Sequence, residues 1–183
     1  MDDRCIIYRI DKSKTIIHVS ANWDQFAMEN KEDQLVRETV LNKPLFSYIK
    51  NWECRHLYEM LIDRVSRTGV TIKFPYRCDS PGTRRYMNME IVPKDNELIE
   101  FKSYIVKEEL RERQPLLDIG TDRSREFVVI CSWCKKINTA GDQWEEVEDA
   151  VTSMTLFASP VLPDLSHGIC PPCYQDLCDK FSS

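Results

Sequence analysis

Alternating apolar and polar residues mark β-type segments near the start of the chain and again after its first third. Residues 5–20 hold two β-rich runs joined by a polar turn, which predicts a hairpin. Three further runs alternate well, over residues 70–78, 84–93 and 98–106. Pro75 has no backbone N–H to donate, so the first of these three runs is expected at a sheet edge or at a bulge.

Helical spacing replaces this alternation between the two groups of strands. Ser20 is placed to cap a short helix over residues 21–30. The clearest helix covers residues 52–68, and Gly69 follows where a left-handed C-cap residue is expected. Its apolar stripe consists of Leu57, Met60, Leu61 and Val65. This order of two strands, helices and three strands predicts an α+β fold, in which a five-stranded antiparallel sheet has helices inserted between its second and third strands.

Residues 109–126 interrupt the pattern. They are dense in charge and contain Pro115 and Gly120, which favour turns over regular elements. We therefore predict a first domain over residues 1–108, a linker over 109–126 and a second module over 127–183.

Two CxxC pairs define that second module. Cys131 and Cys134 form the first pair and Cys170 and Cys173 the second, with thirty-five residues between them. Each pair can supply two sulfur atoms from one tight turn, and four thiolates suit the tetrahedral coordination of zinc. These four cysteines are the predicted metal ligands. The expected ion is a structural zinc, and iron is the alternative that four sulfurs would also hold.

The residues around the cysteines predict the elements that carry them. Phe127–Ile130 reads as a short strand that leads into the first pair, and the second pair opens a helix over Tyr174–Phe181. Between them, Asp142 and Glu145 fit an N-capping box, which predicts a helix with Trp144 on its apolar side. A knuckle from one pair and a helix start from the other predict a zinc-ribbon or treble-clef-like module.

The composition is that of a soluble globular protein. Of 183 residues, 42% are hydrophobic and 30% are charged, and no window offers the ~20 apolar residues that a membrane span needs. The acidic start, Met1-Asp2-Asp3, does not resemble a signal peptide. A cytoplasmic location without membrane attachment is therefore expected, and thiols stay reduced there, which favours metal binding over disulfides for the paired cysteines.

The net charge of −5 is unevenly distributed. Residues 1–110 hold 18 basic and 18 acidic side chains, whereas residues 111–183 hold 7 basic and 12 acidic ones. A module with this excess of acid would repel phosphates, so nucleic acid is not expected as a partner.

Three phrases of the first domain, Tyr8-Arg9-Ile10-Asp11, Val19–Ala27 and Phe74–Pro81, together with the order of its elements, resemble a PAS domain. The phrases Cys-Ser-Trp-Cys-Lys-Lys-Ile, from Cys131, and Leu-Ser-His-Gly-Ile-Cys-Pro-Pro-Cys-Tyr, ending at Tyr174, are similar to a cysteine-rich tail of bacterial PAS and signalling proteins. The resemblance implies a bacterial sensory or regulatory protein in signal transduction. It implies no enzymatic reaction that the family shares. The sequence shows no kinase, cyclase or helix-turn-helix output, so the signal is expected to pass to a protein partner or through self-association.

A PAS-like pocket could hold a small-molecule ligand. Trp23 and Tyr76 are candidates to line it, although aromatic residues at such spacings are more often core. Arg77 and Arg85 flank one turn and could meet an anionic ligand, or they could form salt bridges with Asp79 and its neighbours.

The sequence leaves alternatives open for the metal ligands, the cofactor and the function. His167 is expected to hydrogen-bond beside the metal site without binding the ion or to cap the loop, and the alternative is that it replaces one cysteine as ligand. Haem is not expected, because the helix histidine His56 is more simply structural, and the Asn-Cys-Arg-Phe-Leu motif of flavin-photosensing PAS domains is absent. The competing functions are a thiol-redox enzyme that uses the CxxC pairs and a zinc-dependent regulator that binds nucleic acid.

Overall fold

The structure, a computed structural model, describes residues 5–156 and 161–181. Residues 1–4, 157–160 and 182–183 of the predicted domains lie outside the described residues.

The chain forms two compact units. The first unit runs to Tyr76 and resumes over Tyr86–Lys107, and the second contains Arg77–Arg85 and the chain from Glu108 onwards. This division differs from the predicted one, since the second unit takes in a loop that sequence alone assigns to the first domain.

The first unit is built on a five-stranded antiparallel sheet, as predicted. Its strands are β1 (Cys5–Ile10), β2 (Ile16–Val19), β3 (Ile72–Arg77), β4 (Thr83–Lys94) and β5 (Leu98–Leu110). They lie in the order β2-β1-β5-β4-β3, with β1 paired to both β2 and β5. The expectation for Pro75 is confirmed, because β3 is an edge strand.

The helices lie between β2 and β3 in the chain, which confirms the predicted order of elements. They are α1 (Trp23–Glu29), α2 (Arg37–Val40) and α3 (Trp52–Thr68), with 3-10 turns at Asp33–Leu35 and Leu45–Ser47. The predicted end of α3 is confirmed, since Gly69 has φ of 67° and its N–H bonds Val65 O. Ser20 does not cap α1, because its hydroxyl accepts a hydrogen bond from the Ile7 N–H and the helix begins after Asn22.

The core of the first unit lies between α3 and the sheet. Leu57, Leu61 and Val65 of α3 are fully buried, whereas Met60 is only partly buried. Tyr58 of the same helix stacks on the ring of Phe101 in β5, at 6.3 Å between centroids. One face of the sheet is therefore covered by α3.

The second unit has a four-stranded sheet with two helices. Its strands are β6 (Arg123–Cys131), β7 (Ile137–Ala140), β8 (Gln143–Glu145) and β9 (Leu162–Gly168), and its helices are α4 (Val147–Ser153) and α5 (Pro171–Phe181). The strands lie in the order β8-β7-β6-β9, and β6 runs parallel to β9. Its hydrophobic core consists of Leu116, Val128, Ile130, Ile137, Val147, Ala150 and Val151.

The stretch predicted as a linker belongs to this second unit. β5 continues to Leu110, a 3-10 turn covers Pro115–Leu117, and β6 begins at Arg123. Leu116 is fully buried in the core, and the Arg123 guanidinium donates to the Leu116 carbonyl at 2.9 Å. The charge density of residues 109–126 predicts a solvated linker. The charged side chain of Arg123 instead bonds the backbone of the second unit.

The predicted capping box at Asp142 is also corrected. Residues 143–145 form strand β8, in which Trp144 lies opposite Asn138 of β7, and Gly141 takes a left-handed φ of 56° in the turn between them. The helix begins only at Val147, after Glu146. A two-residue Gly-Asp hairpin turn therefore replaces the first helical turn expected from the side-chain spacing.

Candidate metal centre

The first cysteine pair occupies the turn between β6 and β7. Cys131 ends β6, and its N–H bonds Lys136 O at 2.8 Å, while Lys135 N–H returns to Cys131 O at 3.0 Å. Lys135 itself has φ of 61°, in the left-handed region. These bonds close a tight knuckle that directs the sulfur atoms of Cys131 and Cys134 to one side.

The second pair lies where β9 passes into α5. Cys170 precedes the helix and Cys173 lies in its first turn, after two prolines whose missing N–H groups would have no helical partner there. The amide of Cys170 donates to Cys131 Sγ at 3.4 Å. A helix start also favours nearby negative charge, because its free N–H groups point outward.

Parallel pairing of β6 with β9 brings the two corners together. Cys131 lies opposite Gly168 in the register, and Ser132 N–H donates to Gly168 O at 2.8 Å. A side chain at Gly168 would not fit, since an added Cβ would lie 2.9 Å from Cγ1 of Val129. The sequence alone could not predict this close approach, because it depends on pairing between strands thirty residues apart.

The four predicted ligands meet in one cluster. The Sγ atoms of Cys131, Cys134, Cys170 and Cys173 all lie within 4.8 Å of one another, and those of Cys134 and Cys170 are 3.7 Å apart. Tetrahedral zinc with Zn–S bonds of about 2.3 Å requires sulfur atoms about 3.8 Å apart. All eight cysteines are among the described residues and none forms a disulfide. The cluster could therefore hold a metal ion, and its donor set fits zinc.

The pKa values of Cys131, Cys134 and Cys173 are shifted in different directions. Hydrogen bonds with Cys134 and Cys173 lower the pKa of Cys131 well below its ordinary value. Hydrogen bonding with Cys131 raises the pKa of Cys134 to about 12 and is also the main reason that the pKa of Cys173 is raised. Cys131, whose pKa is lowered, is completely buried, whereas Cys134 and Cys173, whose pKa values are raised, are partly exposed.

His167 lies on β9, opposite Ile130 in the register, and is not a member of the four-sulfur cluster. Partial burial lowers its pKa, and the positive charge of Lys135 lowers it further. The predicted hydrogen bond of His167 beside the metal site stays a prediction. Backbone N–H groups donate to the cluster sulfurs, among them that of Cys170 to Cys131 Sγ, and a side-chain motif in the sequence does not reveal such contacts.

Arg77 and Arg85 both belong to the second unit, where carboxylates surround them. Arg77 bonds Asp79 and also Glu146, at 2.7 Å, and Arg85 bonds Glu108 at 2.8 Å. Burial alone would lower the pKa of Arg77, but the hydrogen bonds to its two carboxylates outweigh burial and raise it. These contacts match the salt-bridge alternative for the two arginines.

Trp23 and Tyr76 belong to the first unit. The Trp23 indole N–H donates to Leu35 O at 2.7 Å, and its ring meets Tyr8 edge to face at 6.1 Å. Tyr8 in turn stacks on Phe101 at 4.4 Å. Burial raises the pKa of Tyr8, with smaller contributions from Tyr58 and Tyr76. Trp23 is therefore part of an aromatic cluster that packs on the sheet.

A surface groove in the first unit was not predicted. Its volume is about 410 Å³, and it is lined by Ser13, Lys14, Pro44, Phe46, Ser47, Arg55 and Glu59. The Arg55 guanidinium lies 4.9 Å from the centre of the Phe46 ring, and Lys14 Nζ lies 5.7 Å from it. None of the four candidate ligand residues lines this groove, whose walls come from three separate segments of the chain.

Comparisons with known proteins give little more than this. No protein-family model matches the chain, and no curated protein matches it. One solved structure that resembles it is a domain of an HTR-like protein from Haloarcula marismortui, with 13% identity and a TM-score of 0.40. The match covers 57% of this chain and 99% of that one. A likeness of this size supports no statement about activity, ligand or partner.

In the part of the chain that the structure describes, no helix combines the length and the apolar character that a membrane crossing requires.

Proposed function

We propose that the second unit is a structural zinc module and that the whole chain is a sensory or regulatory protein. The observation that carries the proposal is the four-sulfur cluster, assembled from Cys131 and Cys134 at one corner and Cys170 and Cys173 at the other. Four thiolates complete the tetrahedral shell and leave no open position for substrate or water. The role of such a centre is to fold the unit that presents it.

A small unit gains much from such a centre. Its buried side chains are mostly Val, Ile, Leu and Ala, with Trp133 as a buried large aromatic residue. Binding of a structural zinc can contribute on the order of 10 kcal/mol to folding, which is comparable with the whole stability of a domain. The unit, and with it its surface, would therefore fold only when zinc is bound. We propose that this surface binds a protein partner or a second copy of the chain.

The first unit supports the sensory part of the proposal. Its element order and five-stranded sheet agree with the PAS-like arrangement inferred from the sequence. In this proposal the unit is PAS-like and responds to a small molecule or to a partner. Neither unit needs a reaction to serve that role, so the protein is proposed to act by binding.

Thiol redox chemistry is disfavoured by where the acidic thiol lies. An attacking cysteine must be both deprotonated and accessible. Cys131 has the lowered pKa but is completely buried, whereas Cys134 is partly exposed and has a raised pKa. Binding of nucleic acid is disfavoured by charge, because residues 127–183 carry three basic and eight acidic side chains.

Elemental analysis of protein purified without added metal tests the proposal. We expect about one zinc per chain, no absorption from haem, flavin or iron, and loss of the zinc in the Cys170→Ser variant. Cys178→Ser is the matched control, since Cys178 lies on α5, which follows Cys170, and is outside the cluster, and it should retain zinc. Zinc-free wild-type protein, or insulin reduction by the CxxC pairs, would contradict the proposal.

A further inference from the structure

Residues 77–85, called here the loop 77–85, comprise the last residue of β3, the turn after it and the start of β4. They belong to the second unit, and their backbone is hydrogen-bonded to the rest of that unit at three points. Arg77 N–H donates to Trp133 O at 2.7 Å, Arg111 N–H donates to Gly82 O at 3.1 Å, and Gln114 N–H donates to Pro81 O at 2.9 Å. The first of these bonds reaches the cysteine knuckle itself, because Trp133 lies between Cys131 and Cys134 in the chain.

Asp79 organises the side chains of this loop. Its carboxylate is fully buried and bonds the guanidinium groups of Arg77 and Arg111. The Arg85 amide also donates to it, at 3.4 Å. A buried carboxylate is stable only with such partners, so its position fixes both arginines.

The same arginines connect the loop to α4. Arg77 bonds Glu146, the residue just before the helix, and Arg111 bonds Glu148 in its first turn at 3.2 Å. Arg84 also bonds Glu148, at 3.1 Å. The four arginines of this network (Arg77, Arg84, Arg85 and Arg111) face four carboxylates (Asp79, Glu108, Glu146 and Glu148). The Asp79 carboxylate is fully buried, so its removal leaves the buried positive charges of Arg77 and Arg111 without their shared partner.

Arg77 joins this ion network to the metal centre. Its guanidinium bonds Asp79 on one side and Glu146 on the other. Its backbone N–H donates to the carbonyl of Trp133. A change in the position of Arg77 therefore reaches, through Trp133, the turn that carries Cys131 and Cys134.

We infer that the loop 77–85 is a support of the metal centre, in which Asp79 and Arg77 are positioning residues for the cysteine knuckle. This inference rests on the proposed zinc function. Coupling of this kind is reciprocal, so zinc also holds the loop in place. β3 ends at Arg77 and β4 begins at Thr83, so occupancy of the centre acts on the adjoining ends of these two strands.

The first test compares zinc release from full-length variants, followed with a chromogenic chelator. Asp79→Asn should release zinc about 10- to 100-fold faster than wild type, the range seen for residues that orient metal ligands. Arg77→Lys keeps the charge but loses the planar guanidinium that bonds two carboxylates at once. Its rate of zinc release should lie between those of wild type and Asp79→Asn. Asp176→Asn, which breaks an exposed ion pair with Lys180 on α5, should leave the rate unchanged.

A second readout separates positioning from a general loss of stability. Val151→Ala removes buried core from α4 without touching the ion network. With cobalt(II) in place of zinc, Val151→Ala should keep the wild-type thiolate-to-metal absorption, and Asp79→Asn should alter it. If Asp79→Asn keeps the wild-type spectrum and releases zinc no faster than Val151→Ala, the loop is not a support of the centre.

Amide hydrogen exchange on the wild-type protein covers the case in which Asp79→Asn does not fold. Chelation should remove protection from the amides of Arg77 and Ser132 together, since both bond groups at the joined corners. An Arg77 amide that stays protected after chelation would overturn the inference and leave the zinc proposal intact. Wild-type protein that holds no zinc would overturn both.

Discussion

Lys135 adopts a left-handed backbone conformation in the turn just after Cys134, with φ of 61°. This conformation costs a residue with a Cβ about 1 kcal/mol relative to glycine. Lys135→Gly should therefore stabilise the zinc-loaded protein by up to about 1 kcal/mol in urea unfolding, less what is lost with the bond from Lys135 Nζ to Ser132 O.

Lys136→Gly is the matched control for that prediction. Lys136 is adjacent in the chain but is not among the residues with positive φ. Glycine there adds only freedom to the unfolded chain, which should destabilise by about 0.5–1 kcal/mol. If both glycine variants lower the free energy of unfolding, the conformation of Lys135 is not a source of strain.

Gly168 allows the strands of the metal centre to approach each other. In Gly168→Ala the new methyl would lie 2.9 Å from Cγ1 of Val129, and the stiff β-branched side chain must move. We expect a loss of about 1–3 kcal/mol in thermal or urea unfolding. The double variant with Val129→Ala should recover most of it. Gly120→Ala, whose methyl would meet nothing nearer than 3.9 Å, should be nearly neutral.

At the scale of an element, β1 and β5 are joined by a charge pair within the sheet. Glu100 of β5 lies directly opposite Arg9 of β1 and also bonds Lys94 at 3.1 Å. Burial alone would raise the pKa of Glu100, but its bonds to Arg9 and Lys94 outweigh burial and lower it. The folded state therefore favours the ionised carboxylate.

A pH dependence follows from that lowered pKa. The stability that Glu100 contributes is present above its unfolded pKa, near 4.3, and is lost as the pH falls through its lower folded pKa. Glu100→Gln should cost about 2 kcal/mol at neutral pH, and the difference from wild type should shrink at about pH 3. Urea unfolding across this range measures it. Glu97→Gln, in an exposed pair with Lys12, should follow the wild-type curve throughout.

Elements with a strong local signal could be predicted from the sequence. The stripe of α3 and its Gly69 cap, the alternation of β1–β5 and the edge position required by Pro75 each depend on a few neighbouring residues. Where two local signals compete, prediction fails. Asp142 and Glu145 fit a helix cap, but Gly141-Asp142 also fits a hairpin turn, and pairing of β8 with β7 decides in favour of the hairpin.

The candidate site shows the same division between local and distant information. Spacing within each CxxC pair was enough to predict that these four cysteines come together as candidate ligands. The contacts that place them depend on residues far apart in the chain, such as Arg77 with Trp133 and Cys131 with Gly168. The second unit accordingly includes a loop and a predicted linker that no local pattern assigns to it.

At the scale of the whole molecule, the two units should respond differently to metal removal. The first unit has a helix-covered sheet with fully buried large side chains such as Phe101, Ile91 and Leu57. The second has a smaller core and the four-sulfur cluster. Because a structural zinc contributes on the order of 10 kcal/mol, its loss exceeds the net stability that a unit of this size can supply from its core.

Chelation should therefore unfold the second unit and leave the first one folded. In hydrogen exchange followed by mass spectrometry, we expect peptides of β6, β7 and α4 to lose protection, and peptides of α3 and β5 up to Lys107 to keep it. Restored zinc should restore protection, and Cys170→Ser should give the chelated pattern without chelator. Equal loss in both units would mean that the first unit depends on the metal for its stability. No loss in either would mean that the core of the second unit is sufficient without it.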